Sequence, residues 1–132
     1  NAGHIVVTCG GGGIPVVQKD GKLVGVNAVI DKDSASSLLA QKLDAEYLVI
    51  LTAVEKVAIH FGKPDQQWLS ELTVEEAKKY MAEGEFPAGS MLPKIEAAIA
   101  YLEKVPAGKV LITSMDHVKD AIRGKAGTVI TA

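Results

Sequence analysis

The chain has 132 residues, 48% of them hydrophobic, a net charge of −2 and a single cysteine. That length fits one domain with a real core. The mild acidic surplus, with lysines and arginines scattered, argues against a nucleic-acid partner. One cysteine excludes an internal disulfide, and no apolar run approaches the roughly 20 residues needed to cross a bilayer. The expectation is a soluble, cytoplasmic protein with no membrane partner.

The chain opens without an initiator Met, and an apolar run starts almost at once. This suggests a piece of a longer polypeptide, with ordinary processing of the terminus as the alternative. Ile5-Val6-Val7-Thr8 is continuous, apolar and β-branched, which predicts a strand buried on both faces. It runs into Cys9 and four glycines, Gly10, Gly11, Gly12 and Gly13. Two β-rich runs around Asp20-Gly21 predict a hairpin. Asp31-Lys32-Asp33-Ser34 then leads into a helix whose Ala35, Leu38, Leu39 and Leu43 recur as one apolar stripe.

Tyr47 to Leu51 predicts a second buried strand, ending at Thr52, and Val57-Ala58-Ile59 a further short one. Thr73-Val74-Glu75-Glu76 is a capping box that starts a helix to about Ala82, with Gly84 as its stop. Ser90 is the predicted cap of the next helix, which buries Ile95, Ile99 and Leu102. Val110 to Thr113 is a third central strand. Asp116 is expected to cap a short helix that Gly124 stops, and Thr128 to Thr131 to form a last strand at the sheet edge. Strands alternating with helices imply an α/β sheet covered on both faces, with ligands at the carboxyl ends of its parallel strands.

Three features at such ends could carry chemistry. The four glycines would let backbone N–H groups approach an anion, although glycines also serve tight turns and close packing. No Gly-Lys-Ser/Thr follows them, so they are not a P-loop, and a hairpin follows where a dinucleotide fingerprint needs a helix. The second feature is Asp31-Lys32-Asp33. It reads either as a solvated turn with Asp33 as helix cap or as a carboxylate ordering ammonium groups around a phosphate. The third is Lys94, a cation in the first turn of a helix, where it opposes the dipole. A bound anion would remove that conflict. His4, His60 and His117 lack metal-ligand spacing, so no metal site is predicted. Cys9 reads as a small buried residue, and Trp68 and Tyr80 as packing residues.

Five segments together resemble carbamate kinase, of the amino-acid-kinase family. They are Cys-Gly-Gly-Gly-Gly-Ile-Pro-Val-Val (9–17), Ala-Val-Ile-Asp-Lys-Asp (28–33), Leu-Val-Ile-Leu-Thr (48–52), Gly-Lys-Pro-Asp (62–65) and Gly-Ser-Met-Leu-Pro-Lys-Ile-Glu-Ala-Ala (89–98). The resemblance implies a three-layer α/β/α sandwich with a mainly parallel sheet. Residues 1–132 would be the carboxy-terminal, ATP-binding domain. It also implies reversible phosphoryl transfer between ATP and carbamate, giving ADP and carbamoyl phosphate, as in arginine fermentation. Mg²⁺ and a homodimer belong to the same implication.

Carried over by position, Lys94 and Lys32 would hold the transferring phosphoryl group. Asp33 would organise the lysines. Thr52, Val54, Glu55 and Lys56 would lie along the nucleoside, Gly89 and Met91 beside the adenine or phosphates, and Gly10 to Gly13 against the transferred group. After Thr52 the family often shows Gly-Val-Asp where this chain has Ala53-Val54-Glu55. Carbamate kinases are more than twice this length. Their amino-terminal half, with most of the carbamate site, would be absent here, leaving a chain inactive alone. The alternatives are a nucleotide-binding fragment without turnover and another amino-acid kinase.

Overall fold

A computed structural model describes residues 3–132 of the chain. A hairpin of β1 (Val16–Lys19) and β2 (Lys22–Gly25) comes first. Asp20 and Gly21 supply its turn with φ of 50° and 74°, the left-handed geometry that a two-residue hairpin turn requires. Two αβ units follow and build the body. In the first, α1 (Lys32–Lys42) leads into β3 (Tyr47–Thr52). In the second, α3 (Leu92–Leu102) leads into β7 (Lys109–Ser114). Between them lie β4 (Val57–Ile59), β5 (Gln67–Leu69), β6 (Glu71–Thr73) and α2 (Val74–Ala82). After β7 come a 3₁₀ turn (Met115–His117), α4 (Val118–Ile122) and β8 (Thr128–Thr131).

The main sheet has the order β3-β7-β8-β6. β3 pairs with β7 and β6 with β8 in parallel, while β7 and β8 are antiparallel. Its Leu48, Ile50, Val110, Ile112 and Ile130 pack into one core with Ala40, Ile95, Ala98 and Ile99 of the α1–α3 layer. On the opposite face Ala121 of α4 is buried beside the sheet. The result is three layers, with a mostly parallel sheet in the middle. β4 and β5 form a separate antiparallel pair. Thr128, fully buried, ties it to the main sheet: its hydroxyl donates to the Leu69 carbonyl and accepts from the Val57 N–H at 2.8 Å.

The capping box at Thr73 forms as the sequence predicts. The Glu76 N–H donates to Thr73 Oγ1 and the Thr73 N–H to Glu76 Oε2. Gly84, at φ 76°, follows the end of α2 as expected.

Several expectations are corrected. Residues 5–8 form no strand: Ile5 and Val7 are 98% exposed. An apolar run becomes a buried strand only when it pairs with a neighbour and a layer covers it, and these residues stay unpaired and open to solvent. β3 is buried on one face, because Tyr47, Val49 and Leu51 remain open on the other. α1 does not pack through its leucine stripe, since Leu38 and Leu43 are exposed. It packs through Ser37 and Ala40, and Ser37 Oγ donates to the Ala97 carbonyl at 2.7 Å. Small residues win there because α3 approaches closely with its own Ala97 and Ala98. β8 is an interior strand, held between β7 and β6. Asp116 lies inside the 3₁₀ turn and caps nothing with its side chain. Cys9 is half-buried at φ 54°, and Trp68 is exposed.

Candidate functional site at the carboxyl ends of β3 and β7

The two αβ units place their ends together. Each helix runs back along the strand that follows it, so the start of α1 lies near the end of β3 and the start of α3 near the end of β7. Parallel pairing of Leu51 with Thr113 and Thr52 with Ser114 brings both strand ends to one edge. Side-by-side packing of the two helices then sets Asp33 against Lys94 and Ser37 against Ala97.

Asp33 is the hinge of the charged cluster. Its Oδ2 lies 2.8 Å from Lys94 Nζ, and both side chains are only 12% exposed. Lys32 Nζ lies 3.9 Å from the same oxygen but is largely in solvent. One carboxylate therefore faces two ammonium groups, one buried and one free to move. Asp33 does not cap α1. Asp31 does, accepting from the Asp33 N–H at 2.8 Å and the Ser34 N–H at 3.1 Å. Those amide bonds, the Ser34 one foremost, hold the Asp31 carboxyl below its usual range against an opposing cost of burial that outweighs the Asp33 bond alone. The Lys32 and Lys94 charges add to the effect.

α3 begins differently from the expected pattern. Met91, not Ser90, is its cap residue, and no side chain caps it. The Leu92 N–H donates to the Pro87 carbonyl, the Lys94 N–H donates to Met91, and Pro93 has no N–H. The helix start is therefore poorer in free donors than the sequence suggested. The positive charge there resides chiefly in the Lys94 ammonium.

Beside this cluster lies an apolar cavity of about 170 Å³, lined by Thr52, Ala53, Val54, Lys56, Ala58, Phe61, Pro87, Ser90 and Met91. It is smaller than the ~300–1,000 Å³ of drug-sized ligand pockets. Thr52, Val54, Lys56 and Met91, four of the residues carried over to the nucleotide, line it together. Glu55 points elsewhere: it shares a shallower surface with Val54, Lys56 and Trp68, and its Oε2 is 3.7 Å from His117 Nε2. Gly89 is exposed and does not line the cavity. Ala58, Phe61, Pro87 and Ser90 were not anticipated as lining residues. Their one sequence signal was proximity to Gly62 and Gly89, the loops after β4 and before α3.

The glycine loop reaches the charged cluster through one contact. A Cβ on Gly12 would lie 2.3 Å from Ile30 Cβ, so only glycine fits against the residue preceding Asp31. Gly10, Gly11 and Gly13 meet nothing within 4 Å and border open space. Among the described residues, no group of three or more His, Cys, Asp or Glu side chains could hold a metal, and no helix is long and apolar enough to cross a membrane.

The model of the amino acid kinase family matches residues 1–114. A carbamate kinase of Staphylococcus haemolyticus is 53% identical over 97% of this chain, and a carbamate kinase-like protein of Escherichia coli is 52% identical over 98%. This chain spans 41% and 42% of their respective lengths. Among solved structures, carbamate kinase from Giardia lamblia bound to AMP-PNP superposes with a TM-score of 0.83 at 43% identity. That match covers 91% of this chain and 38% of the Giardia chain.

Proposed function

The chain belongs to the amino acid kinase family, and on that footing we propose that it is the nucleotide-binding half of a carbamate kinase, its carboxy-terminal part. The observation that carries this reading is the Lys94–Asp33–Lys32 cluster beside an apolar cavity at the parallel strand ends. The cavity takes the adenine ring against Met91, Val54 and Phe61. The ribose lies toward Lys56 and the phosphates run toward Lys32 and Lys94.

In the reaction, a carbamate oxygen bonds to the γ-phosphorus of ATP while the bond to the ADP oxygen breaks. Charge accumulates on the phosphoryl oxygens, and positioned ammonium groups neutralise it. Lys94, held by Asp33, is preorganised for that role, whereas exposed Lys32 closes onto the phosphoryl group from the other side. The nucleophile is already an anion, so no general base is required. Gly10, Gly11 and Gly13 leave room for the transferred group above α1. Mg²⁺ commonly binds one or two carboxylates together with substrate phosphates. Asp33 is the carboxylate that could share it, and the ion would bring charge neutralisation to the phosphates.

The carbamate site and much of a homodimer interface would come from the other part of the complete enzyme, so the chain alone binds nucleotide without turnover. Arginine degradation, with ATP as its product, is the metabolic setting this reading implies. Titration of this chain with AMP-PNP, followed by calorimetry, tests it: saturable binding that Lys94→Ala weakens is expected. No binding at millimolar nucleotide would remove the nucleotide assignment. ATP formation above background from carbamoyl phosphate and ADP, with this chain alone, would remove the claim that it is incomplete.

A further inference from the structure

Trp68 is the only tryptophan of the chain, and the fold leaves it 51% exposed on the short strand β5. Its direction is set by the β4–β5 ladder, in which Val57 pairs with Leu69 and Ala58 with Trp68. Residues directly opposite in an antiparallel pair carry their side chains on the same face, and the next pair along carries them on the other. The Val57–Leu69 pair faces the core: Val57 is fully buried and Leu69 packs against the core cluster. The Ala58–Trp68 pair therefore faces the other way, and Ala58 is part of the wall of the apolar cavity. Trp68 stands beside that wall.

Phe61, another lining residue, meets the indole edge to face, with ring centroids 6.2 Å apart and planes at 76°. Both rings stay half-exposed, so the contact between them buries neither. An aromatic pair held in place by a hairpin and left open to solvent is an apolar contact surface for a ligand.

The open side of Trp68 borders a second, shallower depression of about 420 Å³, which it shares with Val54, Glu55 and Lys56. Val54 and Lys56 also line the apolar cavity, so the two depressions adjoin at these residues. The cavity alone, at about 170 Å³, is too small for a whole nucleoside. The second depression is mixed in character. Val54 and the indole are apolar, whereas the Glu55 carboxylate and the Lys56 ammonium are charged. Lys56 Nζ donates to Ser70 Oγ at 2.9 Å, which ties the lysine to the β5 side. A pentose has the same mixture, with C–H groups on its ring faces and hydroxyls around its edge.

We propose that Trp68 is a specificity-determining residue that distinguishes a nucleoside from a free base: with the base in the apolar cavity, the pentose lies in the second depression with one face against the indole. The proposal rests on the nucleoside reading of the cavity given above. Binding then covers indole surface that is open in the free chain, and that burial is the source of the added affinity for the nucleoside.

The test compares adenosine with adenine, which has the same base and lacks the sugar. Because Trp68 is the sole tryptophan, selectively excited indole fluorescence reports on this residue alone. Binding of each ligand is measured by calorimetry for the natural sequence, Trp68→Ala and Trp68→Phe, and by indole fluorescence for the natural sequence. Adenosine is expected to change the indole emission saturably, over the concentrations at which calorimetry shows binding. Trp68→Ala is expected to weaken adenosine about tenfold while leaving adenine within about twofold, and Trp68→Phe to recover most of the loss, because a flat ring remains. Adenosine binding that leaves the indole emission unchanged, or that Trp68→Ala does not weaken, overturns the proposal. An equal loss for adenine and adenosine in Trp68→Ala overturns it as well, since the substitution would then act through the hairpin and not through the sugar. In each of these cases the nucleoside reading of the cavity stands. The fluorescence measurement needs no variant, so it decides the matter even where Trp68→Ala folds poorly. Absence of binding of either ligand to the natural sequence in calorimetry removes the nucleoside reading, and the role of Trp68 with it.

Discussion

Asp33 and Lys94 lie 61 residues apart in the chain and 2.8 Å apart in space, each nearly nine-tenths buried. This pair joins the first turns of two helices, so it serves folding as well as charge placement. Breaking a buried pair from one side leaves the other charge uncompensated, at a cost of about 3–5 kcal/mol for full burial. Lys94→Met is therefore expected to destabilise the chain by about 3 kcal/mol. The double variant with Asp33→Asn should recover about 1–3 kcal/mol relative to additivity. Urea denaturation of the four proteins measures this, and simple additivity would show that the pair is not coupled. Lys32→Met should change stability by less than about 0.5 kcal/mol, yet weaken AMP-PNP binding.

Asp31 gives a pH-dependent prediction. Its carboxyl accepts two amide bonds and is held below the usual value of 3.8. A carboxyl with a depressed folded-state pKa contributes stability that is present above the unfolded value and lost as pH falls through the folded one. Asp31→Ala is thus expected to cost about 1 kcal/mol at neutral pH. The difference from the natural sequence should shrink below the unfolded value of 3.8. Denaturation midpoints taken across that range check both the size and the sign.

Thr128 joins the two sheets through one hydroxyl. Thr128→Val keeps the shape but strands the buried Val57 N–H and the Leu69 carbonyl. A loss of about 1–3 kcal/mol is expected, with faster hydrogen exchange at the Val57 amide than at the β3–β7 ladder. Unchanged exchange at Val57 would mean that another acceptor replaces the hydroxyl.

Gly12 and Gly11 should separate cleanly. A methyl group on Gly12 meets Ile30 at 2.3 Å, while one on Gly11 meets nothing. Gly12→Ala is expected to shift the amide signals of Asp31, Lys32 and Asp33 and to weaken nucleotide binding, whereas Gly11→Ala leaves those amides in place. Equal shifts from both substitutions would show that the glycine loop does not dock through Gly12.

The elements legible in the sequence were those stabilised by neighbours a few residues away. The Thr73–Glu76 capping box, the Asp20-Gly21 hairpin turn and the Gly84 stop each need only local backbone geometry. The element ends bearing Lys32, Asp33, Thr52 and Lys94 were likewise recognisable, because strand ends and helix starts are marked by composition. The buried face of α1 was not legible. Leu38 and Leu43 have the stronger hydrophobic signal, yet Ser37 and Ala40 are buried, since close approach of α3 rewards small side chains. Nor was the fate of Ile5 to Thr8 legible, because burial of an apolar run depends on what lies beside it.

The sequence by itself therefore determined the α/β class and the family resemblance, and it singled out Asp33 and Lys94 as candidates. Only the tertiary structure decided that these two meet, that Glu55 turns away from the cavity, and that Trp68 stands beside it. The reason is physical. Chain-local preferences act over one or two turns, whereas a pair 61 residues apart forms only after two αβ units have packed side by side.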